Sequence, residues 1–359
     1  MNQQFSRRSL LGAGLGLGAL ATAGALSSCS SSGSSPASSE AASPTKLRIT
    51  LGWVSNVEFG GYFLADDRGY YKDEGLEIEF LPGGANAPSA AQSLAAGNAE
   101  IGLSPSMSDT IVAAAKGNDL KILGAVFQDS PGGIVSLTKK PVKTPKDLAV
   151  AKVLGQGGTQ PYLDAILELA GLPPATYKLI PAGFDPSPLV DGQGDAYTCY
   201  VTNQPTTLET QFGLVKDKDY VTVTYSELGL PSYADVIVTT GKFASANEDA
   251  IVKFLRASIR GWQDNVADPS IAATLCVEKY GADLGLDLKQ QIRQNELQAP
   301  LIQSAFTKTH GLLNMDTALL DSKMLPAMKA AGQTPVPANV KGIVDLSYIA
   351  KAFNGKTTL

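Results

Sequence analysis

The sequence predicts an α/β protein of two domains, and three observations carry that prediction. Residues 47–51 and 76–80 each alternate apolar with polar side chains (Leu47, Ile49, Leu51; Leu76, Ile78, Phe80), which reads as two strands of period two. Helical sequence lies between them, so the stretch is one βαβ unit with parallel strands and a right-handed crossover. The chain of 359 residues is too long for one ordinary core, while 44% hydrophobic and 18% charged content describes a well-packed globular chain.

Taken in order, the first 28 residues read as an export signal. Ser6-Arg7-Arg8-Ser9-Leu10-Leu11 has the form of a twin-arginine signal, residues 10–26 are uncharged, and Leu26-Ser27-Ser28-Cys29 has the form of a lipoprotein cleavage site. The uncharged run is 17 residues, short of the roughly 20 needed to span a bilayer, so cleavage and acylation of Cys29 are expected instead of a membrane helix. Residues 29–45 are rich in Ser, Ala and Pro, a composition that buries too little to fold, and are expected to be a flexible tether.

From residue 46 strands and helices alternate. A helix is expected over 89–96, a strand over 100–103, a helix starting near Ser104-Pro105-Ser106, and strands over 120–127 and 134–137. Two prolines and three lysines in 139–145 break the pattern, and the first passage between domains is placed there. Strand 152–154, turn 155–159, helix 162–170, strands 177–180, 195–201 and 220–225, and a strand over 236–239 follow, with the second passage near 232–235. Residues 247–266 carry apolar side chains at three-to-four spacing through Trp262, an amphipathic helix whose tryptophan belongs to the core of the first lobe.

Composition excludes several chemistries. The formal charge is −5, or −7 once the two arginines of the signal are removed, which disfavours nucleic acid as a partner. His310 is the sole histidine and has no cysteine near it, so neither a zinc site nor a Ser-His-Asp arrangement has its residues; no metal, cofactor or catalytic group is assigned. Cys199 and Cys276 fall in different domains and read as separate buried thiols.

In open parallel sheets ligands bind beyond the carboxyl ends of the strands. Here those are residues 52–59, 82–89, 104–109, 127–133, 155–159, 183–188 and 202–205, none of which contains Lys or Arg. From them come the candidates Trp53, Asn56, Glu58 and Phe59; Gly84 and Asn86; Ser104 and Ser106; Gln128; Gly157, Gly158 and Thr159; Phe184 and Asp185; and, at the last strand end, Tyr200, Asn203 and Gln204. The glycine turn can present backbone N–H groups to a ligand or simply be tight. Asn203 and Gln204 can read the edge of a heterocycle or cap a helix. Aromatic groups and acids without basic residues favour a neutral or cationic ring over a strong anion, which usually meets an Arg clamp.

One family shares this arrangement. Trp53, Asn56, Phe59-Gly60-Gly61-Tyr62-Phe63, Ala65, the run Arg68-Gly69-Tyr70-Tyr71-Lys72-Asp73-Glu74-Gly75-Leu76-Glu77-Ile78-Glu79 and Pro82-Gly83-Gly84 resemble the opening of ABC-importer substrate-binding proteins of the thiamine-pyrimidine-precursor and alkanesulfonate type. The resemblance continues through residues 95–102, Thr144-Pro145-Lys146-Asp147-Leu148, Asp195-Ala196-Tyr197 and Asn203-Gln204-Pro205, over nearly all the mature chain. It implies a type II periplasmic-binding-protein fold with a ligand cleft between lobes, a discontinuous lobe 46–138 and 236–359, and an inserted lobe 139–235. It also implies a monomeric, non-enzymatic, lipid-anchored receptor outside the cell membrane, handing a solute to an ABC permease and its ATPase. Many pyrimidine-precursor binders carry His six residues after the Trp, where this chain has Phe59. A pyrimidine-forming synthase of the same fold uses a histidine that this chain lacks in the matching region. The expected solute is a thiamine pyrimidine precursor or related ring, with riboflavin-type, alkanesulfonate, taurine or nitrate binding as the alternatives.

Overall fold

The computed structural model describes residues 43–359; the signal sequence, Cys29 and the tether up to residue 42 lie outside the described residues. Ten strands form two five-stranded sheets: β1 (Thr45–Thr50), β2 (Leu76–Leu81), β3 (Ile101–Ser104), β4 (Leu120–Phe127) and β10 (Ala234–Thr240) in the first, and β5 (Gly132–Leu137), β6 (Lys152–Gly155), β7 (Lys178–Pro181), β8 (Ala196–Tyr200) and β9 (Tyr220–Thr224) in the second. The orders are β2-β1-β3-β10-β4 and β7-β6-β8-β5-β9. Helices cover both sheets, giving the α/β architecture with two lobes that the alternating pattern predicts.

Each sheet has one reversed strand, fourth in its order. β10 is antiparallel to β3 and β4, and β5 is antiparallel to β8 and β9. Those two are the strands entered on arrival from the other sheet. A chain arriving through the cleft must run away from it, whereas the parallel strands end at it. The carboxyl ends of both parallel sets therefore face one cleft.

The passages between sheets depart from the sequence reading. β5 pairs along its length with β8 and β9, so the chain leaves the first sheet at 128–131 instead of 139–145, and the first lobe ends near residue 127 instead of 138. Pro145 instead opens the helix Pro145–Leu148 inside the second lobe, where Thr144 and Asp147 form a capping box. The return runs through 225–233, and Asp235 already lies within β10.

The C-terminal helices do more than cover the first lobe. Helix Glu248–Ala267 lies against helix Gly60–Asp67, with Trp262 fully buried. Contact is so close that a Cβ on Gly61 would meet the indole at 2.2 Å. Helix Leu288–Ile302 reaches across to helix Gln204–Phe212: Gln290 Nε2 donates to Thr206 Oγ1 at 2.8 Å, and Arg293 Nε donates to Glu209 at 3.0 Å. Helix Leu325–Ala330 places Ala327 in the apolar core of the second lobe. Cys199 and Cys276 are buried free thiols. No helix among the described residues is long and apolar enough to cross a membrane.

Candidate ligand-binding cleft

Between the two sheets is a cavity of about 360 Å³. Six aromatic side chains line it: Trp53 from the loop after β1, Tyr162 from helix Gln160–Leu169, Phe184 after β7, Tyr200 at the end of β8, Tyr225 after β9, and Tyr233 before β10. Glu58 supplies the one carboxyl group among the lining residues, and no Lys, Arg or His is present.

The first lobe contributes Trp53, Glu58 and Ser106. β1 ends at Thr50, and the chain turns through 51–56 into a 3-10 turn, Val57–Phe59, capped by Asn56 Oδ1, which accepts from Glu58 N at 3.0 Å. The turn is pinned from behind: Gln291 Oε1 accepts from Val57 N and Gln298 Nε2 donates to Val57 O, both at 2.8 Å. Two buried amides thereby satisfy a backbone the sheet cannot reach. Ser106 caps helix Met107–Ala115, and its hydroxyl accepts from Asp109 N.

From the second lobe come Gly157, Thr159, Phe184, Tyr200, Asn203 and Gln204. Phe184 is half exposed yet meets Trp53 of the other lobe, ring centroids 5.0 Å apart and tilted 58°, across the cavity mouth. Tyr162 and Tyr225 stack in parallel, 6.0 Å between centroids and 6° between planes, to make one wall. Burial pushes the Tyr200 and Tyr225 phenols well above their ordinary range, so they remain neutral.

Of the remaining candidates, none lines the cavity. Phe59 is fully buried, edge-on to Phe63 in the first-lobe core, because the 3-10 turn sends consecutive side chains to different sides. Asn56 is spent as the cap of that turn. The Ser104 hydroxyl donates to Ser106 O and accepts from Thr110 Oγ1. Gln128 is buried, its Nε2 donating to Asn314 O at 2.9 Å, and ties the first passage to the C-terminal segment. Asp185 accepts from the N–H and hydroxyl of Ser187, which hold it below the usual carboxylate range. Gly84, Asn86 and Gly158 also lie off the lining; Gly158, at φ +85°, makes the left-handed turn before helix Gln160–Leu169. Neither capping reading holds for the last pair: Asn203 makes no side-chain cap bond, and Gln204 Oε1 accepts from Tyr200 N at 2.9 Å.

Sequence reasoning missed Tyr162, Tyr225, Tyr233 and Met328, all of which line the cavity. Tyr225 ends a predicted strand and was open to discovery by the same rule that found Trp53. Met328, in helix Leu325–Ala330, lies 88 residues after the last strand ends at Thr240, and nothing local marks it.

Two lobes with a cleft at their strand ends are the fold of periplasmic solute-binding proteins. The periplasmic aliphatic sulphonate binding protein SsuA from Escherichia coli matches with a TM-score of 0.59, at 16% identity, over 87% of this chain and 100% of its own. The chain belongs to the NMT1/THI5 like family, which matches residues 56–272. Relatives include the riboflavin-binding protein RibY of Chloroflexus aurantiacus, 27% identical over 84% of this chain and 85% of that protein. The formylaminopyrimidine-binding protein of Halalkalibacterium halodurans is 22% identical over 70% and 75%. A 4-amino-5-hydroxymethyl-2-methylpyrimidine phosphate synthase of Legionella pneumophila is 22% identical over 77% and 84%.

Proposed function

We propose that this chain is the extracytoplasmic solute-binding component of an ABC importer, held at the membrane by lipid on Cys29, and that it captures a flat nitrogen heterocycle of the pyrimidine-precursor kind. The observation that carries the reading is a cavity with six aromatic side chains, one carboxyl group and no basic residue. Stacking a ring on an aromatic side chain contributes roughly 1–3 kcal/mol, and each charge-assisted hydrogen bond about 1.5–3. One or two stacks and a few such bonds reach the roughly 8 kcal/mol of micromolar affinity. A small sulfonate could not use the stacks and would meet no cation. Family members named for riboflavin and for formylaminopyrimidine binding support the same class of ligand.

Binding is favoured over synthase chemistry by the residues at the cavity. His310 is exposed and stacked on Phe306, 4.0 Å between ring centroids, in helix Ala305–His310, and is not among the lining residues. No lysine lines the cavity either. Mass spectrometry of the small molecule retained by gently purified protein tests the proposal. A pyrimidine, flavin or related ring is expected; an alkanesulfonate would overturn it.

A further inference from the structure

Helix Leu288–Ile302 touches both lobes, and two consecutive glutamines in its first turn carry a chain of hydrogen bonds from one wall of the cleft to the other. Neighbouring positions on an α-helix point about 100° apart, so Gln291 faces the first lobe while Gln290 faces the second. The Val57 N–H donates to Gln291 Oε1 at 2.8 Å, and Gln291 Nε2 donates to Gln290 Oε1 at 2.5 Å. Gln290 Nε2 donates to Thr206 Oγ1 at 2.8 Å, and the Thr206 hydroxyl donates to Asn203 O at 2.6 Å. Backbone groups settle the direction of this relay. The N–H at one end can only donate and the carbonyl at the other can only accept, so each glutamine accepts with its oxygen and donates with its nitrogen. The second hydrogen of Gln290 Nε2 goes to Gln294 Oε1 at 3.2 Å. Gln291 is 2% exposed and Thr206 is fully buried, so little water competes for these bonds and cutting one leaves buried groups without partners.

Both ends of the relay sit at the cavity. Glu58 follows Val57 on the 3-10 turn of the first lobe and lines the cavity, and Asn203 lines it from the second lobe. Gln290, Gln291 and Thr206 are not among the lining residues. We infer that these three are positioning residues for binding, whose relay holds the lobes at the separation at which Glu58 and Asn203 address one ligand. The inference rests on the heterocycle reading of the cleft and adds what keeps its two walls in register. When the relay is cut, the lobes sample other separations. The fraction of molecules with a complete site then falls, and the apparent affinity falls by the same factor. The Arg293–Glu209 pair joins the same two helices but touches neither end of the relay.

Calorimetry with the hydroxymethyl aminopyrimidine and with riboflavin tests this on the wild-type protein and on variants that keep side-chain volume. Thr206→Val removes the hydroxyl and Gln290→Met removes the amide. Each should weaken binding about fivefold, the net contribution of about one hydrogen bond. Thr206→Ser keeps the hydroxyl and should bind within about twofold of wild type. The double variant of Thr206→Val with Gln290→Met should be no weaker than either alone, because one cut already severs the relay. Arg293→Ala should change affinity by less than about twofold. Equal losses in Thr206→Val and Thr206→Ser, losses that add in the double variant, an equal loss in Arg293→Ala, or unchanged affinity in Gln290→Met would overturn the inference. In each of those cases binding of either ring by the wild type leaves the heterocycle reading intact. Binding of neither ring by the wild type overturns both.

Discussion

Replacing Asp235 by Asn should make the protein more stable, and increasingly so as pH rises. The carboxyl of Asp235 has an ordinary value of 3.8 and is pushed up to about 7 by burial. A group of this kind binds more protons folded than unfolded between those two values, so stability falls as pH climbs through that window. The penalty is absent below the unfolded value and complete above the folded one. At about 1.4 kcal/mol per unit, the full penalty is on the order of a few kcal/mol, and more than half of it accrues between pH 5 and pH 8. An Asn there carries no charge and tolerates the left-handed backbone at this position. Denaturant unfolding at about pH 5 and about pH 8 reads the effect. The advantage of Asp235→Asn should grow by on the order of a few kcal/mol between them, and a difference that is the same at both pH values would refute the reasoning.

Other expectations follow from packing and from the passages between lobes. Gly61→Ala should destabilise by about 1–3 kcal/mol, because its Cβ would meet the fully buried Trp262 indole at 2.2 Å; an unchanged thermal midpoint would contradict this. The Arg293–Glu209 pair is part-exposed, so Arg293→Ala should change unfolding stability by less than about 1 kcal/mol. With Gln290→Ala it removes the polar ties between helices Leu288–Ile302 and Gln204–Phe212, and small-angle scattering should then show a larger ligand-free molecule that contracts on binding. Identical scattering of wild type and double variant would count against a mobile cleft. Cys29→Ala should abolish labelling by a radioactive fatty acid, and undiminished labelling would remove the proposed anchor.

Much of the fold was legible because strand periodicity is local. Alternation at Leu47, Ile49 and Leu51, the capping serine in Ser104-Pro105-Ser106, and the apolar stripe ending on Trp262 each announce an element within a few residues. The first passage between lobes was not, because membership of a sheet is decided by pairing with strands 60 and more residues away. β5 looks the same in sequence whichever sheet it joins. The strand-end rule brought Trp53, Glu58 and Tyr200 to one cavity but could not say which way each side chain of a short turn points, and so Phe59 fell in the core. Asp235 escaped notice because its meaning depends on its burial in the folded chain and on the absence of any hydrogen-bond partner around it.

The central claim is that the cleft recognises a flat ring by stacking on Trp53. Trp262 is fully buried against Gly61, and replacing it would leave a void in the core, so the fluorescence signal is best read as a difference between wild type and Trp53→Ala. Titration of both proteins with the hydroxymethyl aminopyrimidine, riboflavin and taurine is the most direct measurement. Aromatic ligands should quench the wild type and lose roughly 1–3 kcal/mol of affinity in Trp53→Ala, while taurine leaves the signal unchanged. Tight binding of taurine, with the same affinity in both proteins, would contradict the account.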